Sequence, residues 1–352
     1  MDMPELLWTR IADLPLVIES HALERLEAGP PTDRVTYLVR LRGRGLEGLG
    51  EEVGGDMVDE DGTFLAAAPS LGLAGEWTFA TFCAHLATLD MWPEPPEWDM
   101  ARRFRNWAFE SAALDLALLQ AGIGLAEALG RSAGPVRFVN SLGLGDPPEL
   151  GAVGRRIERY PGLRFKVDAQ ASWSPSLTTG VADTGAVDVV DFKGRYDLPV
   201  DDEFALLSMY EAVLERFDGA ILEDPHDRPD VAALVAPHSA RVSFDAPIAT
   251  VDDIENAAFG ARTVNVKPSR IGSVRTLLEV YAHCEGRGIA MYGGGMGEVG
   301  VARGQIELLA ALFHPDGPND VAPSAYNLPD LPAGLPESPL TPRRGVAGFR
   351  WE

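Results

Sequence analysis

The sequence predicts an α/β protein, a TIM-type (β/α)8 barrel preceded by a smaller α+β domain. From Pro135 onward, short β-branched or apolar runs alternate with longer stretches of helical spacing, roughly 20 to 30 residues apart and about eight times over. Ahead of them, "RVTYLVRLRGRGLEGLGEE" (34–52) alternates apolar and polar positions across a glycine-containing turn, the pattern of an antiparallel hairpin. Residues 76–92 and 100–130 then follow helical periodicity, so strands followed by helices make a separate unit beside the barrel.

Taken in order, residues 1–132 form the N-terminal α+β domain, 133–327 the barrel, and 328–352 a Pro- and Gly-rich segment expected to run back across the N-terminal domain. The barrel strands are expected at 136–142, 163–167, 186–192, 219–222, 241–244, 262–266, 288–292 and, more weakly, 319–323. Between them "DDEFALLSMYEAVLERF" (201–217), "VRTLLEVYAHCEGRG" (274–288) and "RGQIELLAALF" (303–313) have helical spacing. The second unit is the poor one, because "SPSLTTGVADTG" (174–185) is short for a helix.

Composition bounds the function. The chain has 352 residues, 46% hydrophobic and 24% charged, ordinary for a globular protein with a large core. A formal net charge of −23 with no basic stripe would repel a phosphate backbone, which argues against nucleic acid. Cys83 and Cys284 form no metal-type pattern and read as reduced, buried residues. The N-terminus lacks an apolar signal region, and Asp115 and Glu127 interrupt the most apolar stretch, 111–130. A cytoplasmic protein with no membrane partner is expected, and a homo-oligomer is left open.

The chemistry is expected where barrel strands finish. Only three of the thirty basic residues are lysine, namely Lys166, Lys193 and Lys267, and each stands at or near the end of an apolar run. Read in order, the strand ends give Lys166, Asp191, Glu223, Asp245 and Lys267, one per βα unit, so the five side chains should converge. Three converging carboxylates must shift their pKa values or take up a cation, and an all-oxygen set suits Mg²⁺. A lysine beside another cation can lose its proton and act as a base, which arginine cannot do. The alternative is that the lysines are buried ion-pair partners of the acids. Beyond the strand ends, Arg195, Tyr196 and Arg270 could read a substrate anion, His226 could line the cavity, and Gly293, Gly294 and Gly295 could hold an anion on backbone N–H groups.

These residues resemble the enolase superfamily, in its mandelate racemase/muconate lactonizing enzyme branch, and particularly o-succinylbenzoate synthase-like members. "RFK" (164–166) looks like the family's KxK motif with Arg164 first; "LEDP" (222–225), "FDAPI" (244–248) and "VKPSRIGS" (266–273) resemble the fourth-, fifth- and sixth-strand motifs. "GGGMGEVGVARGQIELLAALF" (293–313) is similar to the seventh-strand segment, and "GLGEE" (48–52) and 110–130 to the capping domain. The resemblance implies Mg²⁺ on Asp191, Glu223 and Asp245, and Lys166 and Lys267 flanking a small carboxylate whose α proton they abstract. Arg164, Arg195, Arg270, Gly294, Gly295, Met296 and Glu298 are the candidate substrate contacts, and the resemblance makes 53–62 a lid. Racemisation, cycloisomerisation and β-elimination are the reactions it covers.

Three departures stand out. Where the third strand should read Asp-x-Asn the chain has "DFK", with Lys193 two residues from Asp191 and on the same side of the strand. A cation there weakens metal binding, replaces the metal or serves as a third acid or base. "KVDAQASW" (166–173) makes Asp168 a rival of Asp191, and the eighth strand offers Asp320 alone for a substrate ammonium. The competing expectation is a non-catalytic or metal-free barrel in which Lys193 neutralises the acids and the cavity binds a ligand.

Overall fold

The computed structural model describes residues 3–29, 34–54, 65, 71–92, 94–96, 98–196, 202–343 and 345–351. The chain opens with a helix, Met3–Ala12, and strand β1, Pro15–Ile18. Strands β2 (Ser20–Ala28), β3 (Arg34–Gly43) and β4 (Leu46–Glu52) then make an antiparallel sheet. The expected hairpin is β3 and β4; Gly43 pairs with Leu46, and Arg44 and Gly45 both take left-handed backbone (φ 55° and 72°), as the favoured two-residue turn demands. Strand β5 (Gly75–Thr78) pairs antiparallel with β1 and runs into the helix Phe79–Leu86 through a Thr78/Thr81 capping box. Most of the proposed lid, residues 55–62, lies outside the described residues.

The helix Met100–Ala121 packs against β4, and β4 carries glycine where the two meet. A Cβ on Gly48 would come within 2.3 Å of the Ala112 carbonyl oxygen, and one on Gly50 within 2.0 Å of that of Ala108. Only glycine lets helix and strand backbones approach this closely.

Seven parallel strands follow in sequence order: β6 (Asn140–Leu142), β7 (Phe165–Asp168), β8 (Val187–Asp191), β9 (Ile221–Glu223), β10 (Val242–Phe244), β11 (Thr263–Val266) and β12 (Ala290–Gly293). Each is short and largely buried, as in a barrel covered by helices. The eighth position is reduced to Asn319 and Asp320, which bridge β12 through Gly294 and the first barrel run through Phe138, closing the ring. Val139 donates its N–H to Asn319 at 2.8 Å, and Asp320 donates to Gly293 at 2.7 Å. The helix expected to be poor does form, over Pro175–Asp183: Ser174 Oγ accepts the N–H of Leu177, and Pro175 occupies the first helical turn. A good N-terminal cap and a rigid first residue make up for its shortness.

Two buried acids of the first unit tie it to the barrel, and a third holds the C-terminal segment. Glu51 accepts the N–H groups of Val299, Gly300 and Ala302 at the start of the helix Val301–Phe313. Glu110 accepts the N–H of Val274, the first residue of the helix Val274–Arg287, at 2.7 Å. Asp115 accepts the N–H groups of Leu49 and Phe349 and pairs with Arg350, so the C-terminal residues run back onto the helix Met100–Ala121. Among the described residues no helix is long and apolar enough to cross a membrane.

Candidate active site

Parallel register determines which side chains meet. In β7 and β8, Asp168 and Asp191 are direct neighbours, and Asp191 in turn neighbours Glu223 of β9. Asp245 follows directly on β10, and Lys267 directly on β11. All five residues read from the strand ends are buried and face one cluster, with Lys193 reaching in from the loop after β8.

Each acid in the cluster holds a cation. Lys166 Nζ lies 3.0 Å from Asp191 Oδ2 and also bonds Glu223 Oε1. Lys193 bonds the same Asp191 oxygen with its ammonium, stands 3.3 Å from Asp168, and donates its backbone N–H to Asp191 Oδ1 at 2.9 Å. Asp245 takes Lys267 at 2.9 Å on Oδ2 and Arg270 on both oxygens. Tyr292 donates its hydroxyl to Glu223 Oε2, and Asn265 lies 3.4 Å from Oε1.

Burial and pairing pull the proton affinities apart. Burial pushes Glu223 up to about 8 despite Lys166, because Asp191 and Asp245 add to it. Burial also works against the Asp191 carboxylate, but Lys166 and Lys193 outweigh it and bring it down to about 2. Asp245 falls further, since Arg270 and Lys267 overcome its burial. Burial opposes the Lys166 ammonium, yet Glu223, Asp191 and Asp245 together hold it well above the ordinary lysine range. Lys193, opposed by burial and by Lys166, is likewise held charged by Asp191 and Asp168.

The strand-end loops are less uniform. Arg270 donates to Tyr196 Oη at 3.1 Å and lies 3.3 Å from Met296 Sδ, so these three close one side of the cluster. Gly294 pairs with Asp320 in the barrel closure. The glycine cradle is filled from within: Glu298 accepts the Met296 N–H at 2.8 Å and the Ser269 hydroxyl at 3.2 Å, and its Oε2 occupies the space where Gly295 lacks a Cβ. The anion in this loop is the protein's own. Arg195 pairs with exposed Asp227 at 3.5 Å, and its Nε is buried without a hydrogen bond. His226 turns to the Tyr210 hydroxyl at 3.0 Å rather than to the acids.

Arg164 does not join the cluster. In the pairing of β7 with β8, Phe165 faces Val187 and Lys166 faces Val189, so the extra residue is Asp188 of β8, and Arg164 lies just before β7. Its guanidinium instead bonds Asp188 and the Gly185 carbonyl near the start of β8. Four further residues belong to the site. Asn265 and Ser243 stand two positions before Lys267 and Asp245, on the same faces, and this spacing in "TVNVK" and "VSFD" is the signal that could have found them. Tyr292 bridges Ser243 and Glu223. Asp224, with left-handed backbone (φ 45°), accepts the N–H groups of Asp245 and Ala246 at 2.8 and 2.7 Å and fixes the fifth-strand end.

A divalent ion is the implied occupant, and carboxylate oxygen is the donor type that suits it. All six oxygens of Asp191, Glu223 and Asp245, however, already face a side-chain or backbone donor. Among the described residues no three acidic, histidine or cysteine groups are arranged to hold a metal. The set as it stands does not fit a divalent ion.

Residues 132–328 match the C-terminal domain, and residues 9–128 the N-terminal domain, of DUF8230, described as a domain of unknown function. The chain belongs to the DUF8230 family. Among curated relatives, the DUF8230 chain is 25% identical over 233 residues to an o-succinylbenzoate synthase of Bacillus subtilis, covering 63% of this chain and 60% of that protein. It is 29% identical over 327 residues to an N-succinylamino acid racemase of Thermus thermophilus, covering 89% and 84%. Among solved structures it is similar to a dipeptide epimerase of Enterococcus faecalis (TM-score 0.72, 16% identity, 95% of this chain and 99% of that one). A dipeptide epimerase of Methylococcus capsulatus complexed with a magnesium ion is also similar (TM-score 0.63, 19% identity, 84% and 85%). The DUF8230 chain therefore has the enolase-superfamily fold, a barrel with an N-terminal capping domain.

Proposed function

We propose that the barrel mouth transfers a proton at the carbon next to the carboxylate of a small organic acid, an isomerase or lyase reaction with Lys166 and Lys267 as proton carriers. The observation that carries this reading is their placement. They stand at the second and sixth of eight strand positions, hence on opposite walls, with Asp191, Glu223 and Asp245 spanning the arc between them. A carbon held between the walls can lose a proton to one side and regain it from the other, or lose it and expel a leaving group.

The remaining residues position these carriers. Tyr292 and Asn265 hold Glu223, which with Asp191 holds Lys166 charged in the resting site. Lys166 therefore enters the cycle as a proton donor, and Lys267 takes the α proton from the opposite wall after first releasing its own proton to solvent. Asp224 fixes the backbone of Asp245, and Asp245 orients Lys267. Negative charge growing on the substrate carboxylate would meet Lys193, whose side chain is 33% exposed against 1% for Lys166 and 7% for Lys267. A preplaced charge at that point lowers the barrier without reorganisation. Using magnesium in this role would require the three carboxylates to release their present donors, and no step is assigned to it. Partners of this site are small carboxylates.

The test is incubation in D₂O with a panel of small carboxylic acids that includes N-acylated amino acids, reading deuterium at the α carbon by NMR. The reading expects incorporation into at least one acid and its loss in Lys166→Met. The full pairing of the lysines with acids favours one other reading, a barrel that binds a carboxylate without turning it over. Thermal stabilisation by an acid that never exchanges would identify that case.

A further inference from the structure

We propose that the Lys193 ammonium stands in place of a divalent metal ion in this chain, so that the barrel mouth works without one. The inference concerns the same site as the proposed reaction and depends on that reading only for where substrate would bind.

Charge is the first argument. When all five are ionised, the carboxylates of this part of the barrel (Asp168, Asp191, Glu223, Asp224, Asp245) exceed its four cations (Lys166, Lys193, Lys267, Arg270) by one negative charge. Without Lys193 the deficit is two, the charge of a divalent cation. Adding such an ion while Lys193 stays would make the cluster net positive and put a third cation beside Lys166 and Lys193 on Asp191 Oδ2, which is strongly unfavourable in a desolvated site.

Geometry is the second. Lys193 is a non-glycine residue with left-handed backbone (φ 53°), a conformation that costs energy and marks sites where the surroundings over-determine it. That conformation turns both its donors onto one carboxylate, the N–H to Asp191 Oδ1 and the ammonium to Oδ2. The next residue is also fixed: a Cβ on Gly194 would lie 2.3 Å from the His226 nitrogen, and the Gly194 N–H bonds the Asp224 carbonyl at 2.8 Å. The loop is therefore built to deliver Lys193 to the acids. The ammonium also joins Asp168 to Asp191, pairing two neighbouring strand ends as a shared cation does.

The experiment compares the full-length wild type with Lys193→Asn and Lys193→Met, all stripped with EDTA. Each is melted across a MgCl₂ series at constant ionic strength, and Mn²⁺ binding is read by electron paramagnetic resonance. Wild type is expected to show no magnesium-dependent shift and no bound Mn²⁺, whereas Lys193→Asn, which frees Asp191 and supplies a neutral oxygen, gains both. Lys193→Met serves as a second variant that removes the charge without adding a donor. One Mn²⁺ bound per wild-type chain at micromolar concentration, or a wild-type magnesium shift as large as that of Lys193→Asn, overturns the proposal. These readouts need no substrate, so failure of the exchange assay leaves them intact. If exchange is found, its survival in EDTA supports the proposal, and its abolition by EDTA with recovery in Mg²⁺ contradicts it.

Discussion

Lys166 and Asp191 stand on adjacent parallel strands with Nζ 3.0 Å from Oδ2, and the same ammonium bonds Glu223 on the strand beyond. One fully buried cation thus serves two acids. Removing it leaves two buried carboxylates short of a partner, the situation in which truncating an ion pair is most destabilising. Lys166→Met should therefore lower unfolding stability by about 3 to 5 kcal/mol, measured by urea titration. Adding Glu223→Gln to that variant should recover part of the loss, since Asp191 keeps Lys193 while Glu223 is left with only the neutral Tyr292 and Asn265.

Tyr292→Phe deletes the hydroxyl that joins Ser243 to Glu223 Oε2. The ring can stay in place, but a buried carboxylate oxygen loses its donor, which costs about 1 to 3 kcal/mol. Urea unfolding should show that loss, and deuterium exchange should slow because Glu223 no longer holds Lys166 in one position.

Glu110 gives a pH prediction with a defined sign. Burial raises its carboxyl to about 7, against the bonds it accepts from Val274 and Asn106. In the unfolded chain it ionises near the ordinary glutamate value of 4.5, so between those two values the folded state holds a proton that the unfolded state has lost. Stability from this group is therefore full below about 4.5 and falls as pH rises towards about 7. The whole shift amounts to roughly 3 kcal/mol. Glu110→Gln, which keeps a carbonyl acceptor for Val274, should remove that slope and melt higher than wild type at pH 8. A larger pH slope in the variant would contradict this assignment.

Gly50→Ala tests the junction between the first unit and its helix. The added methyl would meet the Ala108 carbonyl oxygen at 2.0 Å, with Ser111 Oγ at 2.5 Å behind it. Neither backbone can withdraw without disturbing β4 or the helix, so a loss of about 1 to 3 kcal/mol is expected in a denaturant titration.

Much of this architecture was legible because it follows from period and spacing. The apolar runs from 136 to 292 each contain a barrel strand or strand-end bridge, and the interval of one βα unit placed Lys166, Asp191, Glu223, Asp245 and Lys267 together. The choice between Asp168 and Asp191 dissolves in the structure, since the two are register neighbours and Lys193 reaches both. Other features depend on contacts that no local pattern encodes. Asp188, the extra residue in β8, holds Arg164 away from the cluster, and Glu298 folds back to fill the glycine cradle. The short helix at 175–183 forms because its capping by Ser174 and Pro175 outweighs its length. Tyr292 is not legible in sequence, since a tyrosine in an apolar run reads as packing until the acid opposite it is located.

The central claim is that Lys166 and Lys267 carry the proton between opposite walls of the barrel. The most direct test is deuterium exchange at the α carbon of a responsive acid, compared between wild type and the folded double variant Lys166→Ala/Lys267→Ala. The account predicts that exchange falls to the rate of the acid alone in buffer; exchange retained at the wild-type rate would take both lysines out of the chemistry.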